Sequence, residues 1–129
     1  MTEPRLSSII GVVDDDQRIL ESLQQLLESA DYGVRLFSSA VALLESPRLA
    51  DIDGLISDID MPGMDGFELL RVLHSARPAL PIIFITGHPE MLNQLPPSGT
   101  GYRGILKKPF DGEELLKTLA DALRNPGSS

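Results

Sequence analysis

The chain has 129 residues, with 11 lysines and arginines against 19 aspartates and glutamates, which gives a formal charge of −8 at pH 7. This length fits one domain, and a hydrophobic share of 42% is too high for an intrinsically disordered chain. The absence of cysteine excludes disulfide bonds, thiolate metal sites and a cysteine nucleophile. The negative charge argues against direct binding to nucleic acid or to an anionic membrane surface, because both require clustered basic residues.

We expect neither a secretory signal in the first residues nor a membrane span. Its first residues lack a basic start followed by an apolar stretch, and no window reaches the roughly 18 to 20 apolar residues of a membrane span. We therefore expect a cytoplasmic protein. We also expect residues 1–7 to form a flexible N-terminus, residues 8–124 the folded domain, and residues 125–129 a flexible tail.

Five short apolar runs alternate along the chain with segments of helical periodicity. The predicted strands, in chain order, are Ile9–Val13, Gly33–Phe37, Gly54–Ile59, Ile82–Thr86 and Tyr102–Lys107. Because these runs are continuously apolar, they are typical of parallel strands that are buried on both faces. The sequence therefore predicts an α/β fold with a doubly wound, five-stranded parallel sheet.

The segments between the runs predict helices. Gly33 follows the first helical segment, and we expect this glycine to terminate it. The last helix is expected to begin at Asp111, with Glu114 completing a capping box. After the fourth strand, Pro89–Leu95 offers fewer than two helical turns before a segment rich in proline and glycine. The helix there is predicted to be short or disrupted, because neither residue is tolerated well in a helix interior.

Polar residues follow the predicted strands at the edge where ligands bind in such sheets. Asp14–Asp16 follow the first strand, Asp58 lies in the third, Thr86 ends the fourth, and Lys107–Lys108 end the fifth. Carboxylates about 4 Å apart repel each other by about 4 kcal/mol at an effective dielectric near 20, so a compensating cation is expected. Oxygen ligands without histidine or cysteine favour Mg²⁺, beside which a carboxylate can act as a nucleophile towards phosphorus.

Four motifs, in this order, resemble the receiver domain of two-component response regulators, the CheY-like superfamily. They are Val12–Asp16, Ile56–Asp58 with Met61–Gly66, Ile85–Gly87 and Lys108–Phe110. The resemblance covers roughly residues 8–124 and is closest to FixJ-type receivers, through Phe37–Ala40 and Thr86–His88. It implies the flavodoxin-like arrangement of five strands and helices, and a role in a phosphorelay.

The resemblance implies roles for the acidic residues. Asp58 would be the phosphoacceptor and would also contact Mg²⁺. Asp15 would be a direct Mg²⁺ ligand, Asp14 a ligand through water, and the carbonyl of Asp60 a further ligand.

The resemblance also implies roles around the fourth and fifth strands. Thr86 would bind a phosphoryl oxygen and report phosphorylation, Lys108 would pair with the phosphoryl group, and the bond before Pro109 would be cis. Ile105 departs from the family, which usually carries an aromatic switch residue there. Together with the shortened helix, this departure leads us to expect that phosphorylation is retained while its signal is weak or leaves by another surface.

The implied function is that of a signalling domain and not of an ordinary enzyme, although the domain would assist its own phosphorylation and dephosphorylation. A sensor histidine kinase or phosphotransfer protein would donate the phosphoryl group to Asp58. The modified domain would then switch its contacts with an output domain or target protein, without binding nucleic acid or membrane itself.

Two alternatives remain open and one is rejected. A degenerate receiver would bind its partner without phosphorylation. Asp58-Ile59-Asp60 also resembles the nucleophile motif of haloacid-dehalogenase-type phosphatases, although that family places it after the first strand. An EF-hand loop is rejected, because Pro62 and Leu69 occupy positions that need oxygen ligands.

Overall fold

The computed structural model describes residues 8–88, 90 and 102–124. The predicted flexible ends, 1–7 and 125–129, and most of the predicted short helix at Pro89–Leu95 lie outside the described residues. The described elements, in chain order, are β1 (Ile9–Val13), α1 (Gln17–Ser29), β2 (Gly33–Phe37), α2 (Ala40–Glu45), a 3-10 turn (Pro47–Asp51), β3 (Gly54–Asp58), α3 (Gly66–Ala76), β4 (Ile82–Thr86), β5 (Tyr102–Lys107) and α4 (Gly112–Arg124). No helix within these ranges is long and apolar enough to cross a membrane.

The five strands form one parallel sheet in the order β2-β1-β3-β4-β5, which confirms the predicted fold class. The strand bounds also match the prediction, except that β3 ends at Asp58 and not at Ile59. β1 lies between β2 and β3, so the direction of winding reverses at this strand. The carboxyl ends of β1 and β3 therefore form the switch point at which open α/β sheets bind ligands.

Two apolar layers cover the sheet, one on each face. Alternate strand residues such as Val13 and Phe84 pack into the layer that includes α2 and α3. Their neighbours Val12 and Ile85 pack into the layer with α1 and α4. All residues of β3 and β4 are buried, which explains why their apolar residues follow one another and do not alternate with exposed polar ones.

The end of α1 differs from the prediction, because Gly33 does not terminate the helix. The helix stops at Ser29, and Asp31 adopts the left-handed conformation with φ 70°. The amide of Asp31 donates to the carbonyl of Glu28, and the amide of Tyr32 donates to that of Leu27, which is a Schellman motif. Gly33 instead begins β2, where its amide donates to the carbonyl of Ser8.

The other helix ends use side-chain caps. Asp111 caps α4, but its carboxylate accepts from the amide of Glu113 at 2.9 Å and not from that of Glu114 as a capping box requires. A reciprocal capping box, which the sequence analysis did not identify, instead begins α3: Asp65 accepts from the amide of Glu68, whose carboxylate accepts from the amide of Asp65. This box fixes the start of α3 next to the end of β3.

Candidate functional site

Three carboxylates and one ammonium group meet at the carboxyl edge of the sheet. Lys108 Nζ lies 3.0 Å from Asp14 Oδ2 and 3.4 Å from Asp58 Oδ2. Asp14 and Asp58 are buried, whereas 21% of the Lys108 side chain is exposed. Asp15 is exposed, yet its carboxylate offers an oxygen within 4.8 Å of those of Asp14 and Asp58. The structure thus places these four predicted residues together.

Backbone contacts hold the acidic cluster in place. The amide of Asp14 donates to the carbonyl of Phe37 at 3.2 Å, and Asp14 Oδ1 accepts from the amide of Asp16 at 2.8 Å. Asp16 is the cap of α1, and its carboxylate accepts from the amide of Arg18 at 2.9 Å. The three consecutive aspartates therefore divide their tasks: two contribute oxygens to the cluster and the third caps the helix.

The side chain that reaches the carboxylates belongs to Lys108, while Lys107 is exposed. The amide of Lys108 donates to the carbonyl of Thr86 at 2.7 Å, so the end of β5 is tied to the end of β4. The peptide bond between Lys108 and Pro109 is cis.

The charges of the cluster are not balanced. Burial, followed by the negative charge of Asp14, raises the pKa of Asp58 from its ordinary value of 3.8 to about 6. Burial also raises the pKa of Asp14, although hydrogen bonds from Asp16 and Lys108 oppose this. Burial disfavours the charged form of Lys108, but its contacts with Asp14 and Asp58 outweigh this effect and raise its pKa. One ammonium group faces two buried carboxylates, so the site favours an additional cation.

The donor set fits a hard divalent cation. Only oxygen atoms are available in the cluster of Asp14, Asp15 and Asp58, and such ligands suit Mg²⁺ or Ca²⁺ better than softer metals. Asp15 is exposed, so the cluster can be approached from solvent. These residues could therefore hold Mg²⁺.

Thr86 and Asp60 lie in or beside the loops next to the cluster. Thr86 is buried, and its hydroxyl accepts from the amide of His88 at 2.9 Å and contacts the carbonyl of His88 at 3.2 Å. The Asp60 carboxylate is about half exposed, and its Oδ2 lies 3.1 Å from Nε2 of His88. His88 Nδ1 in turn lies 3.4 Å from a carboxylate oxygen of Glu90.

Sequence reasoning missed the contact between Asp60 and His88. The available signal was spacing, because each residue lies two positions after a strand end at the same edge of the sheet. The contact joins the loop after β3 to the loop after β4.

Ile105, which stands where an aromatic residue was expected, is half buried and packs against the layer with α2 and α3. It aligns with Phe84 in the sheet. Tyr102 aligns with Ile82, at the opposite end of the strands from Thr86, and its ring centroid lies 5.9 Å from that of Phe84. Tyr102 therefore does not replace the missing aromatic side chain near Thr86.

Comparison with known proteins agrees with this arrangement. The family model described as the response regulator receiver domain matches residues 10–120. The chain is 36% identical over 115 residues to the transcriptional regulatory protein FixJ of Bradyrhizobium diazoefficiens, covering 89% of this chain and 56% of that protein. It is 37% identical over 117 residues to the response regulator protein TmoT of Ectopseudomonas mendocina, covering 91% and 53%. The chain thus spans about half the length of these curated relatives.

Solved structures agree as well. A signal receiver domain of an HD domain-containing protein from Pseudomonas fluorescens Pf-5 is similar with a TM-score of 0.84 and 32% identity, covering 95% of this chain and 99% of that one. A receiver domain from Clostridium thermocellum is similar with a TM-score of 0.83 and 28% identity, covering 91% and 94%. Sequence and fold agree over the same residues, and the chain therefore belongs to the response regulator receiver domain family.

Proposed function

We propose that the domain accepts a phosphoryl group on Asp58 in a Mg²⁺-dependent reaction and thereby switches its contacts with other proteins. The observation that carries this proposal is the cluster of Asp14, Asp15 and Asp58 oxygens within 4.8 Å, with Lys108 beside it. The donor would be a sensor histidine kinase or a phosphotransfer protein, and the reaction would take place in the cytoplasm. The partner that receives the signal would be an output domain or a separate target protein.

The chemistry requires an ionised carboxylate and compensation for the charge of the incoming group. Above its pKa of about 6, Asp58 is ionised, and one of its oxygens can form a bond to phosphorus while the bond between phosphorus and the donor's leaving atom breaks. Lys108, 3.4 Å from Asp58, would pair with the phosphoryl oxygens. Thr86 would donate its hydroxyl to them after leaving the backbone of His88.

Asp15 and Asp58, the backbone carbonyl of Asp60, and Asp14 through water would hold Mg²⁺. When bound, the ion would neutralise part of the phosphoryl charge and stabilise its transfer. Both buried carboxylates have raised pKa values, which supports a site adapted to a further positive charge.

Mass spectrometry of the intact protein, incubated with Mg²⁺ and acetyl phosphate, tests the proposal. We expect the wild type to gain one phosphoryl group and Asp58→Asn to gain none, while Asp51→Asn, an exposed aspartate outside the site, behaves like the wild type. Lys108→Met should slow the modification, whereas Lys107→Met, which changes an exposed neighbour, should not. Modification of Asp58→Asn to the wild-type extent would contradict the assignment of the acceptor.

A receiver that acts without phosphorylation is the second candidate, and Ile105 favours it. This side chain is packed in the apolar layer and offers no aromatic ring that could move with Thr86. Backbone NMR shifts between Thr86 and Phe110, compared with and without the phosphoryl mimic beryllofluoride, separate the candidates. Large changes support a phosphorylation switch, and nearly identical spectra of a modified protein support weak coupling or an interaction module.

A further inference from the structure

Ser57 is a buried polar residue that the proposed function leaves without a role. Among the described residues, the buried polar or charged side chains are Asp14, Ser57, Asp58 and Thr86. Ser57 aligns with Val13 and Phe84 in the sheet, and both of these residues pack in the layer with α2 and α3. Because successive strand residues point to opposite faces, its side chain is directed away from that of Asp58. An apolar side chain could fill this position without needing a hydrogen-bond partner.

The hydroxyl of Ser57 donates to the carbonyl oxygen of Asp58 at 2.9 Å, and this bond is buried. The same carbonyl lies against the start of α3, where a Cβ atom on Gly66 would approach it to 2.8 Å. The amide of Gly66 donates to the carbonyl of Ile59, also at 2.8 Å. The peptide group between Asp58 and Ile59 is therefore held on both sides. Its amide donates to the carbonyl of Ile85 in β4 at 3.1 Å, and its carbonyl accepts from the Ser57 hydroxyl beside the start of α3.

We propose that Ser57 is a positioning residue, whose hydroxyl fixes the peptide group of Asp58 and thereby directs the Asp58 carboxylate towards Lys108 and the acidic cluster. This inference rests on the proposed function, since it assigns Ser57 a part in holding the acceptor and the Mg²⁺ ligand. The role requires the hydrogen bond and not only the volume of the side chain. Loss of the hydroxyl should therefore affect the site more than it affects the fold.

Three variants separate these effects. Ser57→Ala removes the hydroxyl, Ser57→Thr keeps it, and Ser46→Ala removes a hydroxyl that accepts from the amide of Arg48 at the start of the 3-10 turn, outside the site. For each variant, calorimetry gives the affinity for Mg²⁺, mass spectrometry gives the rate of modification by acetyl phosphate, and thermal unfolding gives the stability. We expect Ser57→Ala to lose affinity and rate by roughly tenfold, as supporting partners of metal ligands commonly do. Ser57→Thr should remain near the wild type, and Ser46→Ala should change only the stability.

The Mg²⁺ affinity and the rate of modification together distinguish failure of this inference from failure of the proposed function. If the wild type and Ser57→Ala are modified at the same rate and bind Mg²⁺ with the same affinity, only the proposed role of Ser57 is overturned. If the wild type binds Mg²⁺ more tightly than Ser57→Ala but gains no phosphoryl group, the proposed function is overturned and the positioning role of Ser57 is supported. Equal losses of Mg²⁺ affinity and rate in Ser57→Ala and Ser57→Thr would assign the effect to packing and overturn the role of the hydroxyl. If the wild type neither binds Mg²⁺ nor becomes modified, both proposals are overturned.

Discussion

The two ends of the sheet hold their charged side chains in opposite ways. Where the strands begin, charged groups bind the backbone: Arg77 Nη1 donates to the carbonyls of Leu49 and Ile52, each at 2.8 Å. Asp53 Oδ2 accepts from the amide of Ile9 at 2.7 Å. These charged groups satisfy backbone atoms at the start of the sheet, and such bonds stabilise the folded state.

Where the strands end, charged groups face one another. Asp14 and Asp58 are both buried, and Lys108 is shared between them. Both carboxylates have raised pKa values, chiefly because of burial, which means that their charged forms destabilise the folded protein. The comparison indicates that one end of the sheet supports the fold, whereas the other holds a charge arrangement that costs stability and serves the site.

The largest effect on stability is expected from removing the charge of Asp58 at the carboxyl end of the strands. The pKa of Asp58 rises from 3.8 to about 6 on folding, so the folded protein holds this proton more tightly than the unfolded chain. Stability without metal should therefore fall as the pH rises from about 4 to about 6, by about 3 kcal/mol for this group. We expect Asp58→Asn to be more stable than the wild type at neutral pH and to show a flatter pH dependence, as measured by urea unfolding with a chelator.

Asp51→Asn is the matched control, because Asp51 is exposed and lies at the other end of the sheet. It should not reproduce the gain in stability at neutral pH that is expected for Asp58→Asn. A metal-free Asp58→Asn protein that is less stable than the wild type at neutral pH would show that the carboxylate stabilises the fold, and the proposed contrast between the two ends would fail.

The next effect tests the stabilised end. Arg77→Met keeps much of the apolar stem but removes the donor to two backbone carbonyls, so we expect a loss of about 2 kcal/mol. Urea unfolding measures it under the same conditions. Arg71→Met changes an exposed arginine on α3, the helix that ends just before Arg77, and should have little effect. If both variants are equally stable, the backbone bonds of Arg77 contribute nothing beyond what water supplies.

Much of the fold could be predicted because the central strands β1, β3 and β4 are buried on both faces. Apolar runs located all five strands. For four of them, such as β4 (Ile82–Thr86), both the first and the last residue were predicted correctly. The end of α1 could not be located in the same way, since a glycine at 33 is an equally good first residue for β2. Competition between these two uses is decided by pairing with β1, which local sequence does not encode.

The site was predictable in part for a related reason. Parallel strands bring their carboxyl ends to one edge, so Asp14, Asp58 and one of the two lysines after β5 were expected to meet. The choice of Lys108 over its neighbour came only from the family resemblance, and Lys108 is the lysine that contacts both carboxylates. The contact of Asp60 with His88 depends on the course of two loops, and loop geometry follows from tertiary packing more than from residue type. The hydrogen bond of Ser57 was also missed, because a single serine in a strand carries no periodic signal.

A smaller effect on stability is expected at Asp31, which belongs to neither group of charged residues compared above. It tests the cost of backbone strain instead. Its φ of 70° lies in the left-handed region, which costs most residues about 1–2 kcal/mol but suits glycine. Asp31→Gly should therefore stabilise the protein by about 0.5–1 kcal/mol, after allowing for the greater freedom of glycine in the unfolded chain. Ala30→Gly, at a neighbouring residue with φ −100°, should destabilise it. Loss of stability in both variants would show that Asp31 is not strained.

The smallest change in metal-free stability is expected at Asp15, which sharpens the contrast within the acidic cluster itself. Because Asp15 is exposed, water and salt screen its repulsion from Asp14 and Asp58, so Asp15→Asn should raise the metal-free melting temperature only slightly. An equal or lower melting temperature would contradict this.

Added Mg²⁺ should make the wild type more stable than Asp15→Asn, which reverses their order without metal. Binding to the folded state adds about 1.4 kcal/mol of stability for each tenfold excess of Mg²⁺ over its dissociation constant. If Asp15 is a ligand, the variant needs more Mg²⁺ for the same gain, and the melting curves of the two proteins cross as Mg²⁺ is added. Parallel curves would show that Asp15 is not a Mg²⁺ ligand. The buried carboxylates of Asp14 and Asp58 would then be the groups that favour a bound cation.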